Sequence, residues 1–388
     1  MALTNDTPRI KLLQRDRPMR PDLLLIVPYI VLSVLGLLMI YSATAPGLEE
    51  EGLDPTADLK RQAFFVVLGF IVFAAMSVIE VKTVRLLVPA IYLVTIFLLI
   101  AVLLIGQEVK GAQRWIPVGP WVFQPSEFAK VAVILAVAAV LAASPHLPLR
   151  WDRVARVLAL VGLPALLIFL QPDLGTMLVF GFIAVLMLFV GGSTMRQLAF
   201  LIVAVIIGSV ALFQVGAIQE YQVTRLTAFL DPATDLQGAQ YNQAQSEIAI
   251  GSGGLTGRGL FDGTQTNLRF VPEQESDFIF TAVGEQLGFI GGLLVLALFA
   301  LMLWRILVGA YGARERFGQL VAVGVAGLIA FHVFVNVGMT IRLMPVTGLP
   351  LPLMSAGGTV FVAMSAALGL VHSIWLHRSP VPGERLVE

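Results

Sequence analysis

The chain has no cysteine, which excludes disulfides and thiolate metal sites and suits an oxidising compartment without requiring one. Charge is scarce: 13% of the 388 residues are Asp, Glu, Lys or Arg, against about 25% in a soluble domain. The 25 basic and 25 acidic residues cancel, so no global positive field points to nucleic acid. The histidines are His146, His332, His372 and His377, too scattered for a ligand set, and no metal site is expected. No GxxxxGK[ST] phosphate cradle occurs, and neither a soluble domain nor a clear internal repeat stands out.

What is abundant is hydrocarbon. Hydrophobic residues make up 57% of the chain, and the mean hydropathy of +0.88 places most of it in lipid. A spanning helix needs roughly 20 apolar residues. Ten stretches reach or approach that length: 23–43, 61–79, 85–106, 127–144, 154–170, 174–191, 197–217, 277–304, 318–341 and 358–376. The fifth and sixth are short and separated only by "QPD", which predicts a tight hairpin. The expected fold is all-α, a polytopic membrane protein of ten transmembrane helices. One membrane domain, 23–376, lies between a tail at 1–22 and a tail at 377–388. The first tail carries Arg9, Lys11, Arg15, Arg17 and Arg20. The apolar run from Leu23 is long enough to span, so it reads as a first transmembrane helix rather than a cleaved signal.

Positive charge sets the orientation. With the basic tail inside, inner loops hold Lys82, Arg85, Arg150, Arg153, Arg156, Arg196, Arg305, Arg314 and Arg316, and the last tail holds Arg378 and Arg385. The first outer loop is acidic, with Glu49, Glu50, Glu51 and Asp54. Lys60, Arg61, Lys110, Arg114 and Arg342 run against the rule. Both termini are therefore expected to be cytoplasmic, and residues 218–276 form a large periplasmic loop. Its "IAIGSGGLTGRG" has glycines that permit tight turns and close backbone approach, and a long outer loop is more often functional than a linker.

The polar residues within the spans gather at the outer side. Glu127 and Lys130 lie in "QPSEFAK", Asp173 in "QPDLGT", and Asp277 opens the eighth span. Glu285 follows about 12 Å deeper and about 80° round the helix. Asn336 and, nearer the middle, His332 lie in the ninth span, with Pro345, Pro350, Pro352 and Ser355 after it. Inner halves such as "LVAVGVAGLIAF" are almost purely apolar. This describes a cavity open to one side, unlike the midplane sites of ion-coupled transporters. Each residue also has a structural reading. Glu273, Glu275 and Asp277 can complement a helix dipole. Glu127 and Lys130 can form an i,i+3 pair, and Asp173 can cap the sixth helix. His332 and Asn336 can bond between helices, and "MPVTGLPLPLMSAGG" can be a stiff loop. Glu285 resists such a reading, because a carboxylate at that depth requires a cation or a proton. Lys130 is its natural partner, with Asp173 competing for the same ammonium. Lys60, Arg61 and Arg114 can meet a lipid pyrophosphate or simply be solvated.

The segments "KGAQRW…QPSEFAK", "QPDLGT", "QYNQAQSEIAIGSGGLTGRGLFDGTQT", "FVPEQESDFIFTAVGEQLGFIGG" and "NVGMTIRLMPVTGLPLPLMSAGGT" resemble the SEDS family (shape, elongation, division and sporulation), in order and over nearly the whole chain. "GTQT" before "FVPEQ" is closer to the elongation branch than to the division paralogue. The resemblance implies a glycosyltransferase that polymerises lipid II into glycan strands on the outer face of the bacterial inner membrane. It implies as partners a class B penicillin-binding protein, the transpeptidase, and membrane proteins of the elongation complex. It fixes no cofactor and leaves room for a divalent cation, Mg or Mn. Asp277 matches the essential carboxylate of "DFIF", and Glu127, Lys130 and Asp173 match residues lining the family's central cavity. Glu285 matches the first acid of a family "EE" pair whose second position is Gln286 here; Asn336 and Ser355 join as supporting polar groups. Two departures stand out: Glu275 replaces a frequent histidine, and Arg342 replaces the usual glycine. The implied reaction needs a base to take a proton from an attacking sugar hydroxyl, the role Asp277 would fill. A flippase for the same precursor, or a scaffold without chemistry, is the rival reading.

Overall fold

The structure is a computed structural model describing residues 20–109, 112–119, 121–144, 147–214 and 239–378. Residues 1–19 of the expected 1–22 tail, 379–388 of the expected 377–388 tail, Lys110, His146 and the 215–238 part of the outer loop lie outside the described residues. The helices are α1 (Leu23–Glu50), α2 (Ala57–Val78), α3 (Val81–Ile105), α4 (Pro125–Ala142), α5 (Trp151–Phe169), α6 (Leu174–Gly191), α7 (Met195–Gln214), α8 (Ala239–Gly253), α9 (Thr264–Asn267), α10 (Ile279–Tyr311), α11 (Arg316–Thr340) and α12 (Gly358–Leu376). The ten expected stretches, 197–217 as far as residue 214, fall on helices, and among the described residues eight of these are long and apolar enough to cross a membrane. The other two are α5, which opens with the charged Asp152, Arg153 and Arg156, and α7, whose apolar part is shorter. The chain is a multi-pass α-helical membrane protein.

Burial separates the helices that build the site from those that face lipid. The apolar windows of α4, α11 and α12 are 78%, 72% and 72% buried, while that of α3 is 22% buried. Small residues bring the central helices close, as expected where lipid supplies no hydrophobic drive between helices. Gly369 of α12 lies against the backbone of Phe73 in α2, and Tyr29 of α1 shares a 2.8 Å hydrogen bond with Ser365 of α12. At one end of the bundle the Asp22 carboxylate accepts from Arg305 Nε at 3.1 Å. The Arg305 guanidinium lies 4.2 Å from the Trp375 ring centroid. This ties the start of α1 to α10 and α12.

Two elements at the opposite end were not expected from hydropathy. Between α3 and α4 stand three antiparallel strands, β1 (Gln107–Val109), β2 (Ala112–Val118) and β3 (Trp121–Phe123), in the order β1-β2-β3. Arg114 of β2 donates to the carbonyls of Gln171, at 3.2 Å, and Pro172, and Trp121 stacks on Phe64 at 4.6 Å. The other element is α8, a helix inside the expected loop 218–276. Its buried residues Gln240, Gln243, Ser246, Ala249 and Gly253 recur at helical spacing. Ser246 Oγ bonds to the Thr340 carbonyl at 2.9 Å and to Thr281 Oγ1, and Gln243 Nε2 donates to the carbonyls of Met339, at 3.1 Å, and Met344, at 2.7 Å. α8 thus joins the sheet-side ends of α10 and α11.

Candidate active site

α10 runs for 33 residues but is broken at Gly288, whose φ of 67° and ψ of −166° are not helical. The piece after the break is about 23 residues and about 35 Å long, enough by itself for a hydrocarbon core of about 30 Å. Asp277 and Glu285 precede that piece, so Glu285 does not stand in a continuous lipid-crossing helix. A break frees backbone groups, which need partners inside a membrane protein. The glycine-rich segment after α8 supplies them. The N–H groups of Arg258 and Gly259 donate to the carbonyls of Glu285, at 3.0 Å, and Gln286, at 3.1 Å; those of Phe289 and Ile290 donate to Gly254, at 2.9 Å, and Leu255, at 3.1 Å. Gly257, at φ 85°, lies so close to the Gln286 carbonyl that a side chain would collide with it.

Glu285 is fully buried, and Lys130 is not its partner. Its carboxylate accepts from Gln265 N at 2.7 Å, Thr266 N at 2.9 Å, Thr266 Oγ1 at 2.7 Å and Thr264 Oγ1 at 3.4 Å. Neutral donors of a folded-back turn thus do what a cation was expected to do. Gly263 makes room, since a Cβ there would lie 2.8 Å from Glu285 Oε2. Gln286 is fixed too, donating to Ser42 Oγ at 2.6 Å and accepting from Phe261 N at 3.0 Å.

Lys130 is fully buried and meets Glu127 Oε1 at 2.8 Å, the i,i+3 pair its spacing allows. It also meets His332 Nε2 at 3.3 Å. An ammonium only donates, so Nε2 accepts; the ring proton then sits on Nδ1 and is donated to the Pro350 carbonyl at 3.1 Å. One turn along α11, Asn336 Nδ2 donates to the carbonyls of Leu349 and Asp277, both at 2.8 Å. Ser355 Oγ accepts from Leu351 N at 2.9 Å, and Ala356 N donates to the Glu275 carbonyl at 2.7 Å. The proline-rich segment between α11 and α12 is therefore more than a stiff loop. It links the charges of α4 to α11 and to the main chain around Asp277. Asp277 itself is half-buried at the start of α10, its N–H donating to the Glu273 carbonyl at 3.0 Å.

Asp173 caps α6, accepting from Thr176 N at 3.1 Å and Thr176 Oγ1 at 2.9 Å, and Arg114 lies 3.9 Å away. Arg114 is thus a bridge from sheet to hairpin rather than a solvated cation. Lys60 is exposed and paired with Asp54 at 2.7 Å, and Arg61 is exposed. Burial pushes the Glu275 carboxyl above its usual range. A hydrogen bond from its own backbone N–H opposes that, Glu273 and Asp58 add to it, and Arg269 opposes it. Arg342 has a φ of 58°, the left-handed region where glycine is at no disadvantage. This accounts for the glycine the resembling family usually has there. Its side chain pairs with Glu247 of α8 at 3.7 Å.

An apolar groove of about 320 Å³ opens between α10 and α11, lined by Leu296, Val333, Phe334, Val337, Leu343 and Met344 among others. Among the described residues no group of three or more His, Asp or Glu is arranged to hold a metal ion. Sequence reasoning did not find Gln274, whose Nε2 donates to Thr266 Oγ1 at 3.0 Å. Nor did it find the break at Gly288; the glycines of "IAIGSGGLTGRG" were the signal, with no pattern to say where they dock.

Residues 22–379 match the model of a family of cell cycle proteins, FtsW/RodA/SpoVE. The chain is 37% identical to the peptidoglycan glycosyltransferase MrdB of Escherichia coli (strain K12) over 374 residues, 96% of this chain and 98% of that one. It resembles the crystal structure of the rod shape determining protein RodA of Thermus thermophilus, with a TM-score of 0.68 and 30% identity over 93% of this chain and 98% of the other. A chain in a structure described as "Structural coordination of polymerization and crosslinking by a peptidoglycan synthase complex" gives a TM-score of 0.77, again at 30% identity, over 92% of this chain and 97% of the other. The family match and the near-complete coverage of the relatives agree: the chain belongs to the FtsW/RodA/SpoVE family.

Proposed function

We propose that the chain is a peptidoglycan glycosyltransferase that polymerises lipid II into glycan strands, with Asp277 as the general base. The observation that carries this reading is the setting of Asp277. Asp277 is half-buried at the sheet-side end of the bundle, on a main chain held by Asn336. In the reaction a sugar hydroxyl attacks the anomeric carbon of a second lipid-linked sugar, the new glycosidic bond forms, and the lipid pyrophosphate leaves with the electron pair. Asp277 takes the hydroxyl proton as that bond forms. Partial desolvation raises the basicity of a carboxylate while leaving it within reach of water and substrate. The α10–α11 groove is suited to a polyprenyl tail, because its lining is apolar and it ends beside Met344, next to α8. The apolar far halves of the helices offer a large polar headgroup no path, which weighs against a flippase.

Relatives and sequence bias together support the rest of the reading. Elongation rather than division is favoured by the MrdB similarity and by "GTQT" before "FVPEQ". The bacterial inner membrane is the location, with both chain ends cytoplasmic and the sheet and α8 periplasmic, on the charge bias of the loops. A class B penicillin-binding protein is the partner, consistent with a structural relative that belongs to a peptidoglycan synthase complex. The test is polymerisation of labelled lipid II by purified protein, with its partner if required. Asp277→Asn is expected to lower the rate about 100- to 10,000-fold with an unchanged melting temperature. Glycan chains of normal length and yield from that variant would overturn the assignment.

A further inference from the structure

The turn that carries Asp277 is joined to Glu285 by a relay of two side-chain hydrogen bonds. Thr266 Oγ1 donates its single proton to Glu285 Oε2 at 2.7 Å. Its oxygen is then left only as an acceptor, and Gln274 Nε2 fills that place at 3.0 Å. A flipped Gln274 amide would set two acceptors against each other, so the orientation of the amide is determined. Its Oε1 consequently points away from Thr266, and it has no hydrogen-bond partner among the described residues. All three side chains are buried: Glu285 and Thr266 at 0% exposure, Gln274 at 3%.

Gln274 follows Glu273, whose φ is 56° and whose carbonyl accepts from the N–H groups of Asp277, at 3.0 Å, and Phe278, at 3.4 Å. The turn is therefore held at both ends, by Asn336 on the Asp277 carbonyl and by the Gln274 side chain. We propose that Thr266 and Gln274 are positioning residues that set the Asp277 carboxylate through its turn, with Glu285 as their fixed anchor. This rests on Asp277 being the base. It gives a role to an acid that is not paired with Lys130.

The test uses the full chain and lipid II, reading kcat, KM, the pH profile of kcat/KM and the folded fraction. Thr266→Val keeps size and the backbone N–H to Glu285 but removes the hydroxyl. It is expected to lower kcat about 10-fold or more per folded molecule, as small misplacements of reacting groups do. KM should stay within about two-fold, and the acid limb of the pH profile should move, because the carboxylate changes surroundings. Gln274→Met leaves the Glu285–Thr266 contact intact and should reproduce the effect. The double variant should be no worse than either single one, since both cut one relay. Thr266→Ser should retain kcat and the profile. A normal kcat and profile in both Thr266→Val and Gln274→Met, or a loss matching only the unfolded fraction, would overturn the proposal. Asp277→Asn is assayed beside them. If it polymerises normally, the base assignment fails. If it is inactive while both relay variants are normal, only the relay fails.

Discussion

α4 and α10 each bury a carboxylate, and they satisfy it in opposite ways. On α4, Glu127 is 4% exposed and faces the ammonium of Lys130 one turn away. On α10, Glu285 is 0% exposed, is ion-paired with no cation among the described residues, and is held by two backbone N–H groups and two hydroxyls from a segment that folds back. A third carboxyl, Glu275, shows a further solution. Burial shifts its balance toward the neutral form. The difference teaches where the geometry is stored. The α4 pair is local to one helix and rigid with it. The α10 arrangement exists only while residues 254–267 are docked, so Glu285 reports on tertiary structure and Glu127 on one turn of helix.

The largest effect is expected from splitting the α4 pair. Lys130→Met leaves a buried, unpaired Glu127 and should cost about 3–5 kcal/mol, seen as a fall in melting temperature in detergent. Adding Glu127→Gln should restore much of it, and a single-variant cost under about 1 kcal/mol would show that the pair is not needed to hold α4. Next is Glu285→Gln, which keeps one acceptor oxygen and leaves a donor of Gln265 or Thr266 unpaired, at about 1–3 kcal/mol. Amide exchange should rise across 254–267 and stay unchanged in α4; equal exchange in both regions would erase the distinction drawn between them.

Arg342→Gly is a smaller change of opposite sign. Removing a left-handed non-glycine residue gains roughly 1–2 kcal/mol, and losing the partly exposed Glu247 pair costs about 0–1 kcal/mol. Thermal unfolding should show the variant stabilised by about 1 kcal/mol. A lower melting temperature would mean that the tie from α8 to α11 matters more than the strain. The smallest effect is one of slope. The Glu275 carboxyl lies above its ordinary 4.5 in the folded chain. Its contribution is therefore fully present below 4.5 and is lost as the pH rises through the folded value. The melting temperature of the parent should fall relative to Glu275→Gln over that window and match it below. Parallel curves at all pH values would remove the third solution from the comparison.

Legibility in the sequence follows the same division. The membrane helices could be read because apolar runs of spanning length are contiguous. The Glu127–Lys130 pair and the Asp173 cap were readable because both lie within one helical turn. α8 was missed because the stripe it buries includes Gln240, Gln243 and Ser246, polar residues that satisfy carbonyls of other segments. The strands between α3 and α4 were missed because they are short; β1 and β3 have 3 residues each. The Glu285 partners were invisible because they lie about 20 positions away and two of the four are backbone N–H groups, which carry no residue signature. The break at Gly288 hid inside "LGFIGG", where hydropathy stays high across it.

The order of synthesis gives that break a further meaning. The segment that completes it, 254–259, precedes α10 in the chain and so leaves the ribosome first. When α10 reaches the translocon its template is already made, and four main-chain groups flanking Gly288 have waiting counterparts. Settling the later helix then depends on a segment made before it, the reverse of a hydrophobic hairpin inserting by itself.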